Sequence, residues 1–160
     1  NDFYYETIKV SDSLDLKAGQ AVDRVGLSLG LKFPCGPELE KLANNSNKEL
    51  EYIKVFRRDG MFSLSGVENK CKQMLDKECK PEDIALYCLS YIYSAIDDTV
   101  SELLEKYGNL PVVFSGGVMS NQIIRNKLQE KYTSFFAEPQ FSADNACGIA
   151  VLTSICNKGK

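Results

Sequence analysis

Apolar residues recur three or four positions apart along two stretches of the chain, and this spacing predicts amphipathic helices. The first predicted helix covers 16–30, and Gly30 is its expected end. The second is the longest: it opens at Pro81, runs to about Tyr107 and stops before Gly108. We expect its apolar stripe to face the core, and the stripe consists of Ala85, Leu89, Ile92, Ile96, Val100 and Leu103.

Short β-prone runs alternate with helical patterns in the last third of the chain. A buried strand, a double glycine and an amphipathic helix are predicted within 110–128, followed by a second strand at 132–137 and a final apolar helix at 144–156. This alternation predicts an α/β sheet. A further edge strand is expected at 3–11.

Residues 44–83 are more polar and lack a sustained period. NNSNK and RRDG are breaks in this segment, and the run FSLSG predicts a short strand or loop. A short helix precedes this segment, with Pro37 near its start. We therefore expect 44–83 to form a helical excursion on the surface of one domain and not a linker between two.

Composition is that of an ordinary globular domain, with 160 residues, 44% hydrophobic and 26% charged. The net charge of −3 argues against a chain that binds nucleic acid through its overall charge. The 19 Lys and Arg residues are still enough to form a local basic patch. No apolar run approaches the roughly 18 residues that span a bilayer, and no signal peptide is visible.

The cysteine and histidine content of the chain limits the kinds of metal, redox and catalytic site that it can form. None of the six cysteines forms a C-x-x-C pair, which disfavours a zinc ribbon or redox motif. Cys88 and Cys147 lie in apolar helical runs, so we expect mostly buried, reduced thiols in a cytoplasmic protein. The chain has no histidine, so chemistry that needs a His base or ligand cannot be completed within it. Because it begins at Asn1 and not at Met, we expect a piece of a longer protein.

The double glycine after the predicted strand is the most informative feature. A backbone that turns on Gly116 and Gly117 can lie against a flat or phosphorylated ligand, because no Cβ intervenes. The helix that follows is expected to point its free N–H groups back at this turn, which suits an anion. The segment is neither a Walker A loop nor a G-x-G-x-x-G fingerprint. A tight β–α turn without a ligand is the alternative interpretation.

Two further segments carry candidate chemistry. In DLKAGQAVD, Gly19 and Asp23 share a helix face, and the carboxylate can accept hydrogen bonds from ribose hydroxyls. A packing glycine beside a solvated aspartate is the alternative. In SADNA, Ser142 or Asp144 is a candidate N-cap of the last helix, and Asp144 is also a candidate metal ligand.

Taken in order, these segments resemble the tRNA threonylcarbamoyladenosine transferase family, TsaD, formerly described as O-sialoglycoprotein endopeptidase. The resemblance covers nearly the whole chain and the C-terminal half of the family. The family's D-D-A-A-G-E-A-F-D-K and P-G-G-P segments correspond to 15–43, its F-S-F-S-G-L-K to FSLSGVE at 62–68, its A-G-G-V-x-A-N to SGGVMSN at 115–121, and its P-x-x-C-T-D-N-x-A-M-I-A to PQFSADNACGIA at 139–150. Four ordered matches make the resemblance specific.

The resemblance implies a fold and an activity. Such proteins resemble the actin-like ATPase superfamily, in which two α/β lobes hold nucleotide in a cleft, so 1–160 would be the C-terminal lobe without its N-terminal lobe. The family transfers a threonylcarbamoyl group from its adenylate to the adenosine beside the tRNA anticodon. The implied ligand is ATP or threonylcarbamoyl-adenylate. The implied partners of the whole protein are tRNA and other proteins of the pathway, with no membrane, and a homodimer is a further option.

The resemblance also implies site residues. Glu40 stands where many members have aspartate, and the other positions match residues of the family's motifs. The predicted nucleotide-binding residues are Asp23, Gly36, Glu40, Gly116, Gly117 and Asn121. Asp144 matches a ligand of the family's divalent metal, which is iron, zinc or magnesium. The other protein ligands come from an H-x-x-x-H motif in the family's N-terminal half, so a metal is expected only where that half supplies histidines.

The departures from the family motifs include Gln20 in place of a glutamate, Cys35 in place of a glycine, Glu68 in place of a lysine and Ala143 in place of a threonine. Three interpretations follow. The first is the C-terminal lobe of a genuine but divergent transferase. The second is a catalytically inactive relative that binds nucleotide or a partner, which the changes at Gln20 and Cys35 favour. The third is a protease, as the old family description has it, and it ranks last because no Ser or Cys lies beside an evident general base.

Overall fold

The structure is a computed structural model that describes residues 7–142 and 146–157, without the side chains of 146, 147 and 157. Its α-helices are α1 (Ala18–Ser28), α2 (Gly36–Ala43), α3 (Ser65–Asp76), α4 (Pro81–Tyr107), α5 (Gln122–Lys131), α6 (Pro139–Ser142) and α7 (Ala146–Asn157). Its strands are β1 (Arg57–Arg58), β2 (Met61–Phe62), β3 (Val112–Phe114) and β4 (Ser134–Phe136). The predicted mixture of helices and strands is confirmed.

Helix α4 is the centre of the core, and α1, α2, α3 and α5 pack against it. Pro81 occupies its first turn, where a missing N–H costs nothing, and Gly108 follows it with a φ of 88°. Four residues of the predicted stripe are buried and two are half-buried: Ala85, Leu89, Ile92 and Val100, then Ile96 and Leu103. None of the helices in the described part of the chain has the length and apolar character that crossing a bilayer demands.

Strands β3 and β4 pair in parallel, with Val113 opposite Phe135. Helix α5 makes the crossover that a parallel pair requires, and it buries Ile124 and Leu128. The rings of Phe114 and Phe136 stack at 4.9 Å between centroids. This strand–helix–strand unit, predicted from the alternating pattern, holds the double-glycine turn at the carboxyl end of β3.

The segment 44–83, predicted as an excursion, contributes buried residues to the core. Val55, Leu64, Val67 and Cys71 are buried, and α3 packs against α1 and α4. The FSLSG run, expected as a strand or loop, ends β2 and begins α3. Helix α3 gives this segment the helical character that was expected, and its narrow apolar face packs into the core.

Asp15 joins the start of α1 to the start of α3. One carboxylate oxygen accepts from the backbone N–H groups of Leu64 and Ser65 at 2.8 and 3.2 Å, and the other accepts from the Ser63 hydroxyl at 2.6 Å. Burial alone raises the pKa of Asp15, but hydrogen bonds from Ser63, Ser65 and two backbone amides outweigh it and hold the pKa well below its usual value. Asp15 therefore acts as a long-range N-cap of α3.

The edge strand expected at 3–11 is not found in its described part. Residues 7–10 form no strand, and residues 1–6 lie outside the described residues. The nearest β contact is an isolated parallel bridge between Ser13 and Phe62. A β-prone run forms a strand only where its backbone pairs with a neighbouring edge, and residues 7–10 make no backbone hydrogen bond to a strand among the described residues.

Candidate functional site

A cavity of about 1100 Å³ opens between α1, α2 and the turn after β3. Leu89 and Ile96 of α4 form part of its apolar lining, and Pro34 and Pro139 also line it. Its size and mixture of apolar walls with a few polar groups are typical of small-molecule sites. The cavity brings together all of the predicted nucleotide-binding residues: Asp23, Gly36, Glu40, Gly116, Gly117 and Asn121.

Asp23 links α1 to the start of α2. Its Oδ1 accepts a hydrogen bond of 2.9 Å from the backbone N–H of Cys35, the residue before Gly36. Its Oδ2 has no hydrogen-bond partner among the described residues. Burial, followed by the charge of Asp23, raises the pKa of the Cys35 thiol. Asp23 is thus held in place by one oxygen, lines the cavity, and keeps its other oxygen uncommitted.

A contact made by Glu40 corrects the prediction for the helix that follows the double glycine. A 3₁₀ turn at Gly117–Ser120 separates the glycines from α5. The Oε1 atom of Glu40 accepts a hydrogen bond of 2.8 Å from the backbone N–H of Gln122, at the start of α5. The N-terminus of α5 therefore already holds a carboxylate from the chain itself, where the sequence predicted a free anion site.

Asn121 is buried and caps α5. Its Oδ1 accepts a hydrogen bond of 3.1 Å from the backbone N–H of Ile124. The amide nitrogen of the same side chain has no hydrogen-bond partner among the described residues. Asn121 thus has one half committed to the fold and the other half available to a ligand as a donor.

The double-glycine turn has a distinctive backbone. Gly116 has φ 106° and ψ 155°, a region open essentially to glycine alone. No heavy atom beyond its chain neighbours lies within 4 Å of the place where a Cβ on Gly117 would stand, so the backbone is open there. Ser142, one of the two candidate N-caps of the last helix, bonds to Gly116 through its hydroxyl, and residues 143–145, which follow it, lie outside the described residues.

Three of the departures from the family motifs, at Gln20, Cys35 and Glu68, have partners within the fold. Gln20 accepts a hydrogen bond of 3.1 Å from the backbone N–H of Lys17 and so caps α1, as a glutamate would. The Cys35 side chain packs against Gly26 of α1. Glu68 forms an ion pair of 3.0 Å with Arg24. None of the three departing residues lines the cavity, and Ala143 lies outside the described residues.

The predicted metal ligand, Asp144, lies outside the described residues. Within 7–142 and 146–157, no group of three Cys, Asp or Glu side chains is arranged to hold a metal ion. The described residues therefore do not fit a metal site by themselves.

Comparison with known proteins agrees with the motifs. The sequence model of TsaD, described as tRNA N6-adenosine threonylcarbamoyltransferase, matches residues 3–151. The chain belongs to the TsaD family. Proteins of the same description are 29% identical in Kosmotoga olearia, over 90% of this chain and 46% of the relative, and 31% identical in Chlorobium phaeobacteroides, over 96% and 49%. A relative in Buchnera aphidicola is 32% identical over 93% of this chain and 48% of its own length.

The share of each relative that this chain covers limits what the matches show about the whole protein. The chain spans about half the length of the curated relatives that it matches. A solved structure, that of T. kodakarensis HypF, superimposes with a TM-score of 0.64 over 86% of this chain and 20% of its own, at 19% identity. That likeness concerns the fold alone. TsaD membership connects this chain to tRNA threonylcarbamoyladenosine modification at the level of the family.

Proposed function

We propose that this chain is the C-terminal, nucleotide-binding lobe of an actin-like ATPase fold. The whole protein would transfer a threonylcarbamoyl group from its adenylate to the adenosine beside the tRNA anticodon. One observation carries the proposal: six residues selected by motif, spread from Asp23 to Asn121, line a single cavity of about 1100 Å³. In the whole protein the proposed partners are tRNA and other proteins of the pathway, in the cytoplasm.

The geometry supports distinct roles for the cavity residues. The uncommitted oxygen of Asp23 can accept from a ribose hydroxyl, and the amide nitrogen of Asn121 can donate to a phosphate or base oxygen. Gly36 and Gly117 leave their backbones open, since a Cβ at either would meet no heavy atom within 4 Å beyond its chain neighbours. A flat base or a phosphate can therefore approach the main chain closely at both positions.

The catalytically inactive relative is the less supported alternative. It was favoured by Gln20 and Cys35, but neither residue lines the cavity, and Gln20 still caps α1. We keep the proposed metal conditional: Asp144 would need histidine ligands from another part of the protein. Acyl transfer to tRNA is therefore proposed for the whole protein, and nucleotide binding for this chain.

The first test is calorimetric titration of the 160-residue chain with ATP. We expect binding, and we expect Asp23→Asn to weaken it about tenfold, because a charged acceptor is lost while the bond to Cys35 is retained. Glu38→Gln is the matched control, since Glu38 lies on α2 but outside the cavity and accepts from the Lys32 N–H instead. Equal affinity in Asp23→Asn and the parent chain would reject the ribose role.

The second test addresses the whole protein. Purified full-length protein is assayed for threonylcarbamoyladenosine formation on tRNA with its pathway proteins present. Product formation supports the transferase. Nucleotide binding by the chain without any product from the whole protein would favour the inactive relative.

A further inference from the structure

The Ser142 hydroxyl bonds to both backbone polar groups of Gly116, the first glycine of the double-glycine turn. The Gly116 N–H donates to Ser142 Oγ at 2.7 Å, and the same hydroxyl donates to the Gly116 carbonyl at 2.9 Å. The Gly116 carbonyl also accepts from the Met119 N–H at 2.9 Å. Ser142 is buried, with only 8% of its surface exposed, so water competes little for these bonds.

The conformation of Gly116 needs such a partner. Glycine visits many backbone states, so nothing in residue 116 itself selects φ 106° and ψ 155°. Bonds to its N–H and its C=O fix the two peptide planes that flank the residue. Those planes set the direction in which Gly117 leaves the turn, and Gly117 is part of the cavity wall.

We propose that Ser142 is a positioning residue of the nucleotide site, acting through Gly116. Ser142 does not line the cavity, whereas Gly116 and Gly117 do. Its hydroxyl keeps the turn in the shape that lets a ligand approach the backbone, and this inference rests on the proposed nucleotide-binding function. It also ties the turn to α6, the element that leads into residues 143–145.

The chain contains a matched control for this hydroxyl. Ser94 is fully buried in α4, accepts from the Ile53 N–H at 2.8 Å and donates to the Ser90 carbonyl at 2.8 Å. It thus makes the same pair of backbone bonds but does not line the cavity. Ser142→Ala removes such a pair of bonds next to the proposed site, and Ser94→Ala removes an equivalent pair away from it.

The test combines ATP titration, thermal unfolding and amide hydrogen exchange at Gly116 measured by NMR. We expect Ser142→Ala to weaken ATP binding about tenfold, equivalent to about 1.4 kcal/mol, and to accelerate exchange at Gly116. Ser142→Cys, whose thiol is a weaker donor and acceptor, should lie between Ala and the parent chain. Ser94→Ala should lower the unfolding temperature without changing ATP affinity or Gly116 exchange.

Each other result counts against the proposal in a recognisable way. Faster exchange at Gly116 with unchanged ATP affinity would show a bond that does not position the site. An equal loss of affinity in Ser94→Ala would show a general effect of destabilisation. If the parent chain does not bind ATP, the proposed function fails. Separately, unchanged hydrogen exchange at Gly116 in Ser142→Ala would show that the Ser142 hydroxyl does not fix the turn.

Discussion

Gly26 and Cys35 face each other so closely that a Cβ on Gly26 would lie 2.4 Å from the Cys35 Cβ and 2.8 Å from its Sγ. Real Cβ atoms do not approach other atoms so closely, so the two residues are complementary in size. The contact turns the Cys35 side chain toward α1, while its backbone N–H serves Asp23. The cysteine that departs from the family motif is therefore accommodated without entering the cavity.

This contact predicts a double-mutant effect. Gly26→Ala should lower the free energy of unfolding by about 1–3 kcal/mol, because the added methyl overlaps a buried side chain. Cys35→Gly removes the overlapping atoms, so the double variant should regain most of that loss, with a coupling energy of about 1 kcal/mol or more. Urea unfolding of the four proteins measures the cycle. Additive effects of the two substitutions would contradict the proposed overlap.

The two glycines of the turn should respond differently to alanine. Gly116→Ala places a side chain at φ 106° and should cost about 1–3 kcal/mol of stability, together with ATP affinity. Gly117→Ala meets no close atom and should change stability by less than about 0.5 kcal/mol. Because its methyl stands in the open space by the cavity, it should still weaken ATP binding. Urea unfolding and ATP titration of both variants separate these effects; wild-type affinity in Gly117→Ala would contradict a ligand at this wall.

The capping role of Asp15 predicts a pH-dependent contribution to stability. Asp15→Ala should cost about 0.5–2 kcal/mol at pH 7, the usual range for a lost N-cap. The pKa of Asp15 is lowered in the folded state, so its contribution is complete above the unfolded pKa of about 3.9 and is lost as pH falls toward the folded pKa. The gap between parent and variant in urea unfolding should therefore shrink below about pH 4.

Glu130→Ala provides the control for Asp15. Its exposed carboxylate pairs with Lys127 at 3.3 Å, so its loss should change stability by no more than about 0.5 kcal/mol at pH 7. A constant gap between Asp15→Ala and the parent chain from pH 7 to pH 3 would show that the ionised carboxylate is not what caps α3.

A polar cluster around the buried Asp97, at the C-terminal end of α5, predicts a large effect for one hydroxyl. The Tyr132 hydroxyl lies 2.6 Å from an oxygen of the buried Asp97 and 2.7 Å from the Ser101 hydroxyl. Lys131 bonds to the other Asp97 oxygen at 2.8 Å. Burial, and then the hydrogen bond to Asp97, raises the pKa of Tyr132, so its hydroxyl stays protonated as a donor at neutral pH.

Tyr132→Phe should therefore lower the free energy of unfolding by about 1–3 kcal/mol, because a buried carboxylate loses a donor. Tyr52→Phe is the matched control: its hydroxyl contacts Asp98 at 3.3 Å on an exposed side chain. That variant should be nearly as stable as the parent chain in urea unfolding. Similar losses in the two tyrosine variants would show that burial of Asp97 does not set the cost.

The contrast between α4 and α3 shows where sequence prediction succeeds. Residues at the two ends of α4 specify where it begins and ends, since Pro81 is suited only to a first turn and Gly108 ends the last one. Helix α3 has no comparable signal at its start. Its N-terminal amides are capped by Asp15, far away in the chain, and its buried face is defined by α1 and α4. A local pattern cannot reveal partners of that kind.

The sequence by itself determined the helical and β-prone segments, the glycines of the turn and the family motifs, because these depend on neighbours a few residues apart. Only the tertiary structure decided that Asp23, Glu40 and Asn121 share one cavity, that Glu40 occupies the start of α5 and that Ser142 holds Gly116. Hydrogen bonds between distant segments form where packing of the core brings them together. Their partners follow from the assembled fold and not from any local preference of the chain.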